Sequence, residues 1–132
     1  DWCNLPAKIM EAAERLRGVQ IENRSATELI GRFNYSNVLI YCDPPYMLET
    51  RHGKQYCCEM DDSGHVALLD ILLNHKGYAV ISGYDTGLYN DILAGWNRFE
   101  KTTYSQVMTK KKEVIWLNYD PPNRQMSLED IS

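Results

Sequence analysis

The chain has 132 residues, 44% hydrophobic and 24% charged, with 18 acidic against 14 basic side chains and a net charge of −4. That is one domain's worth of ordinary globular protein; no apolar run approaches the roughly 18–20 residues of a membrane span, and Asp1-Trp2-Cys3-Asn4 carries neither the basic flank nor the apolar stretch of a signal peptide. The acidic balance, taken alone, argues against a chain that neutralises many phosphates by itself, and Cys3, Cys42, Cys57 and Cys58 fit no zinc spacing, so the expectation is no metal and reduced thiols in the cytoplasm.

The chain does not open on Met, which implies trimming or a piece of something longer. Pro6 to Arg17 then places Ile9, Met10, Ala13 and Leu16 on one stripe at helical spacing, with Pro6 suited to a first turn and Gly18 to a stop. Val19-Gln20-Ile21-Glu22 alternates and predicts a short strand. Ser25 followed by Glu28 has the form of a capping box and opens a helix through about Phe33. Asn37 to Cys42 is short and almost wholly apolar, which predicts a central strand buried on both faces. It feeds directly into Asp43-Pro44-Pro45-Tyr46.

Met47 to Met60 has no clean period and reads as a loop over the end of that strand. Asp61, Asp62 or Ser63 caps a helix from His65 to His75 that turns Val66, Leu69, Leu72 and Leu73 inward and stops at Gly77. Tyr78 to Ser82 predicts a second buried strand, followed by Gly83-Tyr84-Asp85. Thr86 or Asp85 caps a helix over Leu88 to Leu93. Arg98 to Val107 and Glu113 to Tyr119 predict an antiparallel hairpin about Thr109-Lys110-Lys111-Lys112, whose basic run reads as a solvated turn. Asp120 to Ser132 is a polar tail in which Asp120-Pro121-Pro122 reads as a plain turn. Alternating helices and strands closed by a hairpin make an α/β layered sheet the expected fold. No glycine-rich GxG turn follows any strand, so any cofactor site in this chain is incomplete.

The chemistry concentrates at Asp43-Pro44-Pro45-Tyr46. Two prolines forbid continuation of the strand ladder and hold the backbone extended. A carboxylate, a carbonyl and an aromatic ring are thereby fixed at a strand's carboxyl end, where ligands bind in open α/β sheets. An aromatic amine such as adenine N6 is a poor nucleophile, because its lone pair is delocalised into the ring. Acceptors around its N–H bonds, here Asp43 and the Pro44 carbonyl, draw the nitrogen toward a tetrahedral state. Tyr46 offers a face on which a base stacks, worth roughly 1–3 kcal/mol. This is catalysis by positioning and electrostatic preorganisation.

Around that motif the chain resembles, collinearly from about Trp2 to Tyr119, the carboxyl-terminal half of the D12 class of S-adenosylmethionine-dependent DNA N6-adenine methyltransferases, the Dam-like and phage-encoded adenine methylases. The resemblance is carried by Leu16 to Arg24, by Leu39 to Tyr46 with its DPPY, by Glu59 to His65, by Ser82-Gly83-Tyr84-Asp85-Thr86 and by Glu113 to Tyr119. It implies a partial Rossmann-like methyltransferase sheet with a C-terminal antiparallel hairpin, residues 1–119 forming a catalytic portion and 120–132 a tail. It also implies that Asp43, Pro44, Pro45 and Tyr46 are catalytic and that Tyr84 and Asp85 line the pocket of a flipped base. Glu22, Asn23 and Asp43 would lie near the cofactor, S-adenosylmethionine, although Ser25 stands where relatives often carry an acid. The implied partners are DNA and an amino-terminal half that holds the glycine-rich loop, or a partner chain, with homo-oligomers through open sheet edges as a further expectation. Two other readings are a non-catalytic remnant or assembly domain, and methylation of another amine: cytosine N4, an RNA base or a protein amide.

Overall fold

The computed structural model describes residues 4–47, 59–104 and 110–122. In chain order the elements are α1 (Leu5–Arg15), α2 (Ala26–Arg32), β1 (Leu39–Cys42), α3 (Asp62–Leu73), β2 (Tyr78–Tyr84), α4 (Gly87–Ile92), β3 (Asn97–Tyr104) and β4 (Lys110–Leu117). Local chemistry accounts for the helix starts. Ser25 Oγ accepts from the Glu28 amide at 3.2 Å, Asp61 Oδ1 from the Gly64 amide at 2.8 Å, and Thr86 Oγ1 from the Tyr89 amide at 3.3 Å. Each satisfies an amide that the first turn leaves without a helical partner.

The strands form one open sheet in the order β1-β2-β4-β3. β1 and β2 run parallel, in register from Leu39 beside Tyr78 to Cys42 beside Ile81. β4 lies antiparallel between β2 and β3, so the hairpin closes the sheet with its second strand inward. This is the partial Rossmann-like sheet with an antiparallel hairpin that the sequence implies. Its core is one-sided: Leu68, Leu69 and Leu72 of α3 and Tyr89 of α4 pack with Ala79 and Ile81 of β2 and Trp116 of β4. Alternation along β2 turns Val80, Ser82 and Tyr84 to the opposite face. No described helix is long and apolar enough to cross a membrane.

Several expectations change. β1 is an edge strand among the described residues, not a central one, with Leu39 58% and Tyr41 64% exposed. Only Ile40 and Cys42 pack toward the core, because a strand with helices on one side buries alternate residues. α1 forms as expected, but none of its residues is buried, so the stripe of Ile9, Met10, Ala13 and Leu16 lies uncovered. Val19 to Glu22 forms no strand, and Ile21 is 95% exposed. A strand exists only where a neighbour takes its amides and carbonyls, and no described residue pairs with this one.

On α3 the inward residues are His65, Leu68, Leu69 and Leu72, while Val66 and Leu73 face outward. The observed set has the i, i+3, i+4, i+7 spacing of a single face. His65 is buried because its Nδ1 shares a 2.9 Å hydrogen bond with the Tyr89 hydroxyl. Met47, expected at the start of a loop, is buried in the core; residues 48–58 of that loop lie outside the described residues. β4 already begins at Lys110, so the basic run is strand and not turn, and residues 105–109 fall outside the description. β2 continues through Gly83 and Tyr84, past its expected end at Ser82.

Candidate active site

The site forms where the parallel pair ends. β1 stops at Cys42, and the prolines that follow Asp43 leave no amide to extend the ladder. Pro44 is buried, Tyr46 is half-buried and Asp43 is exposed, so the carboxylate stands at the surface on an anchored backbone. Register brings β2 to the same point: Cys42 pairs with Ile81, and the next residue on each strand is Asp43 and Ser82. Ser82 Oγ donates to Asp43 Oδ1 at 2.8 Å and lies 3.2 Å from the Cys42 carbonyl. Two residues beyond Ser82, the Tyr84 ring meets the Tyr46 ring edge-on, with centroids 4.5 Å apart and planes at 68°. That geometry suits aromatic quadrupoles and leaves Tyr46 braced.

Asp43, Tyr46 and Ser82 line a cavity of about 510 Å³ on the sheet face opposite the helices. Glu113 and Lys101, neighbours across the β3–β4 ladder, supply its other charged walls. Val80, Ile115 and Leu117 add apolar surface, and Pro121 and Pro122 close one side. Pro121 and Pro122, expected only as part of a plain turn, are therefore a wall of the cavity. Asp120 Oδ1 is held there by Asn97 Nδ2 at 3.1 Å.

Burial pushes the Tyr46 phenol up to about 12; the Asp43 and Glu113 carboxylates act in the same direction, and a hydrogen bond with Ser82 opposes them. Tyr46 is a neutral ring and hydroxyl at physiological pH. Burial likewise raises the Cys42 thiol to about 11, which keeps it protonated and a weak nucleophile. Among the described residues no group of three or more His, Cys, Asp or Glu side chains gathers to hold a metal ion.

The expected site residues divide into two sets. Asp43 and Tyr46 line one cavity, and Pro44 and Pro45 hold the backbone there; Tyr84 does not line it and meets the site only through its ring contact with Tyr46. Asp85 does not line that cavity: its carboxylate accepts from Asn90 Nδ2 and Arg98 Nη2, each at 2.8 Å. The Asn90 hydrogen bond, with Arg98 behind it, holds this carboxyl below the usual range. Glu22 and Asn23 do not line the cavity either; the Glu22 carboxylate accepts from Arg24 Nε at 3.1 Å. For the expected methionine cofactor, the described residues alone do not form a site, since neither Glu22 nor Asn23 reaches Asp43's cavity and no glycine-rich turn stands at a strand end.

Sequence reasoning did not pair Ser82 with Asp43, nor did it find the Arg98 clamp on Asp85. The one available signal for Ser82 was a hydroxyl interrupting an apolar strand, a group that needs a partner when buried. The identity of that partner depends on parallel register.

The Asp43 and Glu113 carboxylates, a braced aromatic ring and a partly apolar cavity suit a planar ligand that donates hydrogen bonds from its edge. Comparisons with known proteins identify a family. The type II methyltransferase M.FokI of Planomicrobium okeanokoites is 30% identical over 109 residues, covering 66% of this chain and 17% of the relative. The chain thus spans less than a fifth of that relative's length. The profile of the D12 class N6 adenine-specific DNA methyltransferases matches residues 4–113, a stretch that contains every element up to the middle of β4. On that match, laid over a sheet of the expected form, the chain belongs to the D12 class N6 adenine-specific DNA methyltransferase family.

Proposed function

We propose that this chain carries the acceptor side of a DNA adenine N6-methyltransferase, binding the target adenine and activating its amino group. The observation that carries the reading is the shared cavity of Asp43 and Tyr46 at the end of the parallel strand pair. The base stacks on Tyr46, whose ring also meets the Tyr84 ring edge-on. Asp43 and the Pro44 carbonyl accept from the amino group, and the Asp43 carboxylate stabilises the positive charge that develops on nitrogen. S-adenosylmethionine, when bound, supplies an electrophilic methyl group. Glu22 and Asn23 belong to its side of the reaction in this proposal, residues 1–119 form the catalytic portion and 120–132 the tail. Tyr84 borders the base pocket, and Asp85 borders it only by fixing the end of β2 that carries Tyr84.

Turnover by this proposal requires a companion segment with the glycine-rich loop, because the described residues assemble the acceptor side alone. The segment comes from the same longer protein or from a partner chain. The experiment is to incubate the chain with duplex DNA and S-adenosylmethionine, alone and together with the amino-terminal half of a D12 relative. N6-methyladenine is then measured by mass spectrometry of the digested DNA. Transfer is expected in the complemented reaction and should vanish in Asp43→Ala. Absence of any methylated base, or an Asp43→Ala variant as active as the parent, would defeat the proposal; N4-methylcytosine in its place would move it to another acceptor.

A second reading is favoured by β1, whose outer edge, among the described residues, offers unpaired backbone groups beside the exposed Leu39 and Tyr41. That edge suits a further strand, supplied by the companion segment or by a second copy of this chain, and an assembly role would use the same surface without catalysis.

A further inference from the structure

We propose that Ser82 is the positioning residue of this site: its hydroxyl holds Asp43 Oδ1 so that Oδ2 is the oxygen offered to the incoming amine. The inference rests on the acceptor-side reading above and deepens it. Asp43 is exposed, and an exposed aspartate ordinarily exchanges among its staggered rotamers. Among the described residues the donor that reaches its carboxylate is Ser82 Oγ, at 2.8 Å. Ser82 is well placed to hold rather than to follow. It is buried, it lies in the interior of β2, and its backbone is set by the ladder to β4, where it stands opposite Ile115.

The same hydroxyl lies within hydrogen-bonding reach of the Tyr46 phenol. One side chain on the neighbouring strand therefore ties together the carboxylate and the ring that the two prolines separate. A larger residue here would enter the cavity that Asp43 and Tyr46 line, whereas alanine would leave the carboxylate without its tether. The hydroxyl also divides the two carboxylate oxygens by role, Oδ1 structural and Oδ2 functional. A bond-accepting group must be set within fractions of an ångström for such a division to matter, and misplacement by about 1 Å costs on the order of 100-fold in rate.

The test separates positioning from catalysis. In the chain as it stands, the side-chain scalar couplings of Asp43 should report a single χ1 rotamer. They should average in Ser82→Ala and return to one rotamer in Ser82→Thr, which keeps the hydroxyl and extends its methyl toward the cavity. Averaged couplings in the parent, unchanged couplings in Ser82→Ala, or a threonine variant that behaves like alanine would each overturn the proposal. Should Ser82→Ala not fold, Ser82→Cys, whose thiol is a weak donor, serves for the same comparison. In the complemented transfer reaction, Ser82→Ala should lower kcat about 10- to 100-fold with KM for DNA little changed. A parent that transfers nothing would defeat the functional reading and leave the coupling result to judge Ser82. Parent-like kcat in an active Ser82→Ala enzyme would defeat Ser82 and leave the functional reading standing.

Discussion

Tyr46 shows how one residue's surroundings decide its chemistry. A phenol ordinarily near 10 is pushed up to about 12, first by burial and then by the carboxylates of Asp43 and Glu113. The ring therefore stands in the cavity uncharged, as the proposed stacking role requires. The sign of the stability effect follows from linkage: the folded state holds this proton more tightly than the unfolded chain does. Its contribution is complete below pH 10 and is lost as the pH rises through about 12. In alkaline denaturation followed by circular dichroism, Tyr46→Phe should therefore lose less stability than the parent over that window. In complemented transfer, Tyr46→Phe should stay close to the parent and Tyr46→Ala should fall about 10- to 100-fold, the equivalent of one base–aromatic stack. Equal activity of phenylalanine and alanine at this position would remove stacking from the account.

At the scale of elements, the α3–β2 connection sets how β2 enters the sheet. A side chain on Gly77 would collide with the backbone carbonyl of Val38, just before β1, and would come within 2.7 Å of the Tyr35 carbonyl. His75 Nε2 sits against the same Val38 carbonyl at 3.1 Å, and Asn118 Nδ2 donates to the Gly77 carbonyl at 2.9 Å. The three contacts bring α3, β1 and β2 to a fixed relative height, and Asp43 and Ser82 inherit it. Gly77→Ala should therefore lower stability by about 1–3 kcal/mol, as overpacking against rigid backbone does. Urea denaturation would measure it, and an unchanged midpoint would show that the connection yields. Arg98 has the comparable task at the other end of β2. It donates to Asp85 at 2.8 Å and to Glu100 at 2.7 Å, binding the residue that follows β2 to β3. Its guanidinium spans two carboxylates as a planar fork, a geometry that lysine does not reproduce.

For the whole molecule, the uneven distribution of burial is the main fact. One sheet face is packed under α3 and α4, while Leu39, Tyr41 and Tyr78 on the other face and edge remain more than half exposed, as do Ile9, Met10, Leu16 and Ile21. Apolar surface beside an open strand edge favours association. Sedimentation velocity of the chain should show association that grows with concentration and recedes in Leu39→Lys, which places a charge on that edge. A monomer at every concentration would refute an assembly role for β1.

Much of the fold was legible because it rests on local chemistry. Ser25, Asp61 and Thr86 announce their helices through caps, and the prolines after Asp43 end β1 wherever the strand lies. The apolar stretches of β1, β2 and β4 are equally visible, as is the DPPY motif with its acceptors and ring. What sequence could not supply is anything set by a neighbour distant along the chain. Val19 to Glu22 has the alternation of a strand and, among the described residues, no partner to pair with. Asn37 to Cys42 has the composition of a central strand and, among the described residues, holds an edge, since burial on a second face depends on what else packs there. Asp85 looked like part of a base pocket and is turned away by Asn90 and Arg98. By itself, the sequence determined which chemistry is carried to the end of β1, because prolines and caps act within a few residues. Only the tertiary structure decided that Ser82 meets Asp43, because that meeting depends on the register of two parallel strands joined across a helix.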